Sequence, residues 1–135
     1  MIKGLAHICF TAGDLDASEA FYRDKLGFAH GFDFVRDDGT RSGVYLHVGG
    51  RNFLELFEGS LGEPAEGRTY RHFCLEVDDL AGTVETLRSR GVEVSDPARG
   101  TDRSLQAWLS DPDGNRIELH QYTAESKQGP SLQGE

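Results

Sequence analysis

The sequence predicts an α+β fold made of two βαβββ modules, and two observations support this prediction. First, the chain repeats itself: "HICFTAGDLDASEAFYRDKLGF" begins at His7, and "HFCLEVDDLAGTVETLRSRGVEV" begins at His72. Both segments read His-x-Cys, an acidic turn, a leucine, a helical stretch and a glycine. Second, each half holds one helical pattern among short alternating strands. The 135 residues suffice for one domain or two halves that share a core.

The first module opens with an alternating, apolar-rich segment at residues 5–11, which predicts a strand. A helix follows, for which Asp16 is the predicted N-cap. Glu19, three residues later, completes a capping-box pattern, and Gly27 supplies the C-terminal stop. Three further strands are predicted in this half, around residues 29–35, 43–48 and 52–58.

The second module begins with a predicted strand at residues 72–77. Leu80, Val84 and Leu87 then recur at helical spacing, and Gly91 ends the helix. Three more strands are predicted around residues 92–94, 105–110 and 116–122. The sequence thus divides into a first module (1–58), a linker (59–71), a second module (72–123) and a flexible tail without apolar residues to dock it (124–135), in one domain overall.

Charge and composition exclude several functional classes. The net charge is −9 and the pI is about 4.9, without a basic run, which argues against nucleic-acid partners and anionic membranes. No apolar segment is long enough to span a membrane. The apolar stretch in the N-terminal "MIKGLAHICF" is too short for a signal peptide. Two cysteines make no disulfide framework. We therefore expect a cytoplasmic protein without a nucleic-acid or membrane partner.

Two glutamates stand in strands that otherwise read as buried. Glu55 lies within "NFLELFE" and Glu118 within "RIELHQY", and burying a lone carboxylate is costly. Strand alternation puts both glutamates opposite the aliphatic faces, together with His7 and His72. Imidazole and carboxylate donors suit zinc, nickel, cobalt, manganese or iron(II), which predicts a divalent metal site. The alternative is that the histidines are half-buried strand residues and the glutamates are solvated charges.

If the faces that carry these residues curve around a cavity, a small-molecule substrate would bind there, and five more residues are candidates for contact with it. Phe53 and Phe57 flank Glu55 on its own face, where core packing is the competing account. Gln106 and Trp108 alternate with apolar residues, although a tryptophan in a dimer interface gives the same pattern. His120 shares the face of Glu118, and a structural histidine is the alternative there.

Four segments together resemble the glyoxalase and vicinal oxygen chelate superfamily: "AHICFTAGDLDASEAFYRDKLGF", "FLELFE", "HFCLEVDDL" and "DPDGNRIELHQY". The resemblance covers nearly the whole chain except the tail. It implies paired βαβββ modules that form a U-shaped mixed sheet around a metal-centred cavity, usually in a homodimer. The metal positions of the four-ligand members match His7, Glu55, His72 and Glu118.

The resemblance also implies a chemical theme, in which the metal chelates two adjacent oxygens of the substrate. A glutamate in the fourth ligand position favours a lactoylglutathione lyase-like isomerase or lyase that works through a metal-bound enediolate, with Glu118 or Glu55 as the catalytic base. Thr11 and Gly59 depart from the glutathione-binding pattern of glyoxalase I. An iron-dependent dioxygenase and a non-enzymatic small-molecule or antibiotic-binding protein are the alternative functions.

Overall fold

The structure is a computed structural model that describes residues 1–62 and 69–133. It divides into two compact units, Met1–Glu66 and Gly67–Glu135, called unit 1 and unit 2 below. The division falls inside the predicted linker 59–71. Residues 63–68 of that linker and residues 134–135 of the predicted tail lie outside the described residues. The predicted module boundaries stay predictions.

Unit 1 contains one helical segment and a four-stranded mixed sheet. The strand order is β1-β4-β3-β2, with β1 parallel to β4 and the other neighbours antiparallel. The elements are β1 (His7–Ala12), α1 (Leu15–Ala20), a π-helical turn (Phe21–Lys25), β2 (Ala29–Val35), β3 (Arg41–Gly49) and β4 (Asn52–Glu58).

Unit 2 repeats this layout with the strand order β5-β8-β7-β6, and β5 is parallel to β8. Its elements are β5 (Phe73–Glu76), α2 (Leu80–Ser89), β6 (Ala98–Arg99), β7 (Leu105–Ser110), β8 (Arg116–Gln121) and α3 (Gly129–Leu132). The predicted α+β class and the two βαβββ modules are confirmed.

Both long helical segments begin at an aspartate, but the first does so two residues earlier than predicted. The Asp14 carboxylate accepts a hydrogen bond from the Ala17 amide at 3.0 Å, and Asp79 does the same for Gly82 at 3.1 Å. The Asp16 capping prediction is therefore wrong. Asp14 is the N-cap because it directly precedes the helix and has extended backbone dihedrals.

One predicted strand, at residues 92–94, is absent from the described part of unit 2. Val94 is buried, so its apolar character reflects packing and not strand pairing. The chain still runs beside β7, because the Ser95 amide donates to the Trp108 carbonyl at 2.9 Å. On the side of β7 away from β8, the strand that pairs with it is the two-residue β6 further along the chain.

One face of each sheet is apolar and buried, as alternation predicted. In unit 1 the buried strand residues come mainly from β3 and β4, with Ala12 added from β1, and α1 packs near β4. In unit 2 they come from β7 and β8, against which α2 packs. The buried apolar strand side chains are Ala12, Val44, Leu46, Leu54, Leu56, Ala107, Leu109, Ile117 and Leu119. The opposite faces carry the candidate site residues.

The segment after β8 is anchored by polar contacts. Ser126 is buried, and its hydroxyl lies 2.7 Å from the Ser104 hydroxyl. The Gln128 amide donates to the Asp102 carboxylate at 2.7 Å, and the Lys127 backbone amide donates to the Asp102 carbonyl at 2.9 Å. The predicted lack of apolar docking residues is thus offset by hydrogen bonds. Flexibility of residues 124–135 stays a prediction.

Among the described residues, no helix combines the length and apolar character that a membrane crossing requires.

Candidate metal centre

In unit 1, His7 and Glu55 meet on the face opposite the core. His7 opens β1 and Glu55 lies in the middle of the neighbouring parallel strand β4. The His7 Nε2 atom is 3.8 Å from the Glu55 Oε2 atom, and the two side chains are 40% and 18% exposed. The Tyr45 hydroxyl forms a 3.2 Å hydrogen bond with His7 Nδ1, so Nε2 is the ring nitrogen that faces the Glu55 carboxylate. The first predicted ligand pair is therefore brought together.

Cys9 is the strand partner of Glu55. Partial burial raises the pKa of the Cys9 thiol to about 11, and a hydrogen bond to the Glu55 carboxylate and the charge of that carboxylate add to the effect. Cys9 is consequently a protonated thiol at neutral pH, and its S–H group donates a hydrogen bond to the Glu55 carboxylate.

In unit 2, the face opposite the core is built around Trp108 and Glu118, which are partners across β7 and β8. The His72 ring lies directly before β5 and meets the Trp108 ring edge-on, with centroids 4.7 Å apart. The Arg116 guanidinium lies 4.3 Å from the Trp108 ring centroid, in cation–π range. The structure thus places His72 against the indole whose strand partner is Glu118.

His120 and Cys74 approach Glu118 from the other sides. Cys74 is the β5 partner of Glu118 and His120 follows on β8. The His120 Nδ1 atom is 3.4 Å from Glu118 Oε2, and its Nε2 atom is 3.6 Å from Asp102 Oδ2. Both ring nitrogens are buried without a hydrogen-bond partner among the described residues. One donor atom each from Cys74, Glu118 and His120 lies within 4.8 Å of the others, in a group that does not include His72.

Partial burial raises the pKa of the Cys74 thiol well above its ordinary range, although the residue keeps an exposed surface, and a hydrogen bond to Glu118 raises the pKa further. The pKa of the Asp102 carboxyl is lowered, chiefly by the hydrogen bond from Gln128 and then by the Ser104 backbone amide. Unit 2 therefore places an ionised carboxylate and a protonated thiol around an imidazole whose ring nitrogens have no hydrogen-bond partner in the described part of the chain.

The predicted substrate-contact residues all lie on these two faces. Phe53 stacks on Tyr45 with ring centroids 4.9 Å apart, and Phe57 packs on Phe34 at 4.7 Å. Phe32 stacks on the other side of Tyr45 at 4.8 Å. We call these five rings the aromatic face. In unit 2, Gln106 and Trp108 are half-buried on β7, and Gln106 is the strand partner of His120.

Sequence reasoning missed two residues that contact the predicted ligands, Tyr45 and Asp102. The signal for Tyr45 was present, because buried Val44 and Leu46 flank it and alternation puts it on the face of Glu55. Asp102 lies in the turn before β7, where no periodicity fixes a direction. Its contact with His120 needed the structure.

The donors in each unit fit a divalent metal ion. Two donors about 2.1 Å from a tetrahedral ion lie roughly 3.4 Å apart, which is close to the His7–Glu55 and His120–Glu118 separations. The unpartnered nitrogens of buried His120 also favour an additional partner. Nitrogen and carboxylate oxygen donors suit the borderline ions predicted from the sequence.

Comparison with known proteins gives matches along most of the chain. The family described as "Glyoxalase/Bleomycin resistance protein/Dioxygenase superfamily" matches residues 4–119. Lactoylglutathione lyase of Haemophilus influenzae is 28% identical over 129 residues, which cover 85% of this chain and 90% of that protein. Metallothiol transferase FosB of Staphylococcus epidermidis is 28% identical over 132 residues, with 93% and 87% covered.

A solved structure gives the same likeness at the level of the fold. TnmS3, an antibiotic binding protein from Streptomyces sp. CB03234, matches with a TM-score of 0.74 and 28% identity, over 90% of this chain and 98% of that one. The three similar proteins carry names for three different activities. The likeness therefore supports the fold, and the reaction has to be argued from the site.

Proposed function

Because the chain belongs to the Glyoxalase/Bleomycin resistance protein/Dioxygenase superfamily, we propose that it is a divalent-metal-dependent isomerase or lyase. Its reaction moves a proton on a small substrate with two adjacent oxygen atoms. The observation that carries the proposal is a pair of carboxylates, Glu55 and Glu118, at matching positions of two sheets. Their side chains are only 18% and 13% exposed, respectively, and each lies beside an imidazole group. Such carboxylates can hold a metal ion and exchange a proton.

The proposed ligands are His7 and Glu55 from unit 1 and His72 and Glu118 from unit 2. They could come from one chain or from two chains of a homodimer, and the homodimer stays a prediction, as does the cytoplasmic location. When bound, the ion would act as a Lewis acid that polarises a substrate carbonyl. Zinc, nickel, cobalt, manganese and iron(II) all remain compatible with this donor set.

In this proposal, residues of the protein transfer the proton and contact the substrate. Glu118 accepts the proton in this proposal, with Glu55 as the corresponding group on the other unit. Trp108, the strand partner of Glu118, would cover the substrate, and Phe53 and Phe57 would supply an apolar wall beside Glu55. An apolar wall strengthens the electrostatic contacts near the reacting carbon by excluding water.

Elemental analysis after dialysis against a mixture of divalent ions tests the metal requirement. We expect about one tightly held ion per chain in the natural protein and loss of the ion in a double Glu55→Gln, Glu118→Gln variant. Glu58→Gln on the same strand is the matched control, because Glu58 is exposed at the end of β4 and should leave the ion content unchanged. No retained ion in the natural protein would contradict the proposal.

Proton transfer is tested separately with solvent deuterium. We expect the loaded protein to exchange the carbon-bound proton of α-hydroxycarbonyl or hemithioacetal substrates, and Glu118→Gln to slow the exchange by about 10²-fold or more. Retained metal together with unchanged exchange in Glu118→Gln would remove the assigned role.

A second candidate function is sequestration of an aromatic small molecule. The aromatic face favours it, because five half-buried or exposed aromatic rings on one face offer a platform for a planar ligand. The similarity to TnmS3, whose name describes antibiotic binding, points in the same direction. Recovery of an intact ligand after incubation, without turnover and without a metal requirement, would favour this function over the enzymatic one.

A further inference from the structure

We propose that Cys74, Glu118 and His120 form a binding site for a thiophilic divalent cation of the zinc type, within unit 2 alone. The site shares Glu118 with the proposed function, but it does not use His7, Glu55 or His72. One sulfur, one oxygen and one nitrogen donor lie within 4.8 Å of one another.

The first support is the state of His120. Its side chain is only 9% exposed, and both ring nitrogens are buried without a hydrogen-bond partner among the described residues. Buried polar atoms in proteins are nearly always partnered, so an unpartnered pair calls for an explanation. A cation on the Nδ1 side would give one of these nitrogens a partner.

The second support is the geometry around the imidazole. Nδ1 lies 3.4 Å from Glu118 Oε2, the spacing of roughly 3.4 Å that two ligands take in a tetrahedral zinc site. On the opposite side, Nε2 lies 3.6 Å from Asp102 Oδ2. Metal-bound histidines commonly donate their second ring N–H to a carboxylate, which fixes the ring orientation. At 3.6 Å Asp102 is just beyond hydrogen-bond distance, so a small shift of the ring on ion binding would bring it into that role.

The third support is the thiol. Cys74 is the strand partner of Glu118 on β5 and is exposed, so a cation can reach it from solvent. The free thiol is protonated, so binding of the ion would release its proton to solvent. The resulting thiolate, together with an imidazole, selects zinc-type ions over magnesium and calcium, which prefer oxygen donors. Three protein ligands also leave a fourth position of a tetrahedral ion open.

Unit 1 provides an internal comparison. Cys9 and Glu55 are strand partners there, as Cys74 and Glu118 are in unit 2. The residue two positions after Glu55 is Phe57, whereas the residue two positions after Glu118 is His120. The third donor is therefore present in unit 2 and replaced by a phenyl ring in unit 1. Cys9→Ser becomes a matched control for Cys74→Ser.

The test is a titration of the full chain with Co²⁺, a spectroscopic substitute for zinc. A cobalt–thiolate bond gives a near-ultraviolet charge-transfer band, which reports sulfur ligation without any activity measurement. We expect the band in the natural protein, in Cys9→Ser and in His72→Gln. It should be absent in Cys74→Ser, and His120→Asn should weaken Co²⁺ binding by about tenfold or more.

The outcomes separate this site from the four-ligand site of the proposed function. Absence of the band in the natural protein, or an unchanged band in Cys74→Ser, would overturn the inference. Loss of the band in His72→Gln would also overturn it, because the site would then not be confined to Cys74, Glu118 and His120. Co²⁺ bound without the band and lost in His72→Gln would overturn the inference and support the proposed function.

Two further measurements guard against misfolding. Cys74→Ala and His120→Gln are second variants at the same positions, and circular dichroism of each without metal shows whether the fold is intact. In folded variants, Co²⁺ should raise the melting temperature of Cys9→Ser but raise that of Cys74→Ala less. Equal increases in the two would contradict the site.

Discussion

Gly43 lies in β3 opposite Phe57, at a position where any side chain would meet its neighbours. A Cβ atom there would lie 2.5 Å from the Leu56 carbonyl oxygen and 2.7 Å from Phe57 Cδ1. We expect Gly43→Ala to lower the free energy of unfolding by about 1–3 kcal/mol, because the β3–β4 pairing must shift to admit the methyl group. Urea unfolding measures the change.

Gly49, at the end of the same strand, is the matched control. A Cβ atom there meets nothing within 4 Å, so Gly49→Ala should leave the unfolding free energy within about 0.5 kcal/mol of its original value. Equal losses in the two variants would show that the close approach at Gly43 has no special cost.

The Cys9 thiol should react slowly with alkylating reagents at pH 8. Its pKa is raised to about 11, so the thiolate fraction at pH 8 is small and grows about tenfold for each pH unit up to the pKa. The rate of iodoacetamide modification in a Cys74→Ser background, followed by mass spectrometry, should therefore keep rising from pH 8 to pH 10. A free cysteine with a pKa of about 8.5 would level off in this range.

Glu55→Gln provides the complementary test. It removes the negative charge that opposes ionisation of Cys9, so the pKa should fall and modification at pH 8 should become faster. A rate that is unchanged in Glu55→Gln would show that the carboxylate does not control the thiol.

At the residue level, the faces of the site could be predicted and its contacts could not. Alternation alone put His7, Glu55 and Glu118 opposite the core, because the side-chain period of a strand is two. The contacts of Tyr45 with His7 and of Asp102 with His120 depend on strand register and on a turn. Local sequence fixes neither.

At the level of elements, Arg41 joins the first helix to the sheet. Its guanidinium donates to Glu19 on α1 at 2.7 Å, to Asp16 on α1 at 2.5 Å and to Asp33 on β2 at 3.3 Å. These hydrogen bonds, that to Glu19 first, raise the pKa of Arg41 and keep it charged. We expect Arg41→Met to destabilise the protein by about 1–2 kcal/mol, since three carboxylates lose their shared partner.

The control for that variant is Arg51→Met, because Arg51 is an exposed arginine in the turn between β3 and β4. Thermal or urea unfolding compares the two variants, and high salt should narrow the difference by screening the ion pairs. A loss in Arg51→Met as large as that in Arg41→Met would argue against a specific role for the Arg41 cluster.

Most strands could be read from the sequence, and the exceptions have physical causes. The predicted ranges 29–35, 52–58 and 105–110 agree with the observed strands, because each alternates clearly between turns. Residues 92–94 gave a false strand, since a buried valine beside β7 produces the same pattern as a paired one. The two-residue β6 is too short to leave any periodicity.

At the scale of the whole molecule, a bound metal should stabilise the protein. Since the proposed ligands bind the ion only when their side chains are correctly placed, binding favours the folded state, by about 2.7 kcal/mol at a free metal concentration one hundred times the dissociation constant. We expect the melting temperature to rise with added divalent ion and to fall again with a chelator. Differential scanning calorimetry measures both changes.

The double variant Glu55→Gln, Glu118→Gln should show no such rise, whereas Glu58→Gln should behave like the natural protein. If the melting temperature rises equally in all three proteins, the stabilising ion binds elsewhere.

The sequence could predict the fold class because both modules carry their own pattern, and each sheet has the same strand order. It could not identify the metal or the substrate. Metal choice depends on donor distances such as the 3.8 Å between His7 and Glu55, and substrate choice depends on which side chains surround the donors. Similar proteins with about 28% identity carry names for different activities, so fold alone leaves the reaction open.

Trp108 is the single tryptophan of the chain, and its ring touches the proposed ligand His72 and the Arg116 guanidinium. All indole emission of the protein therefore originates beside the candidate site. A metal ion or an aromatic ligand that settles there should quench or shift that emission, while events elsewhere on the chain should leave it largely unchanged. The protein carries its own optical reporter, so binding can be followed by intrinsic fluorescence without a label.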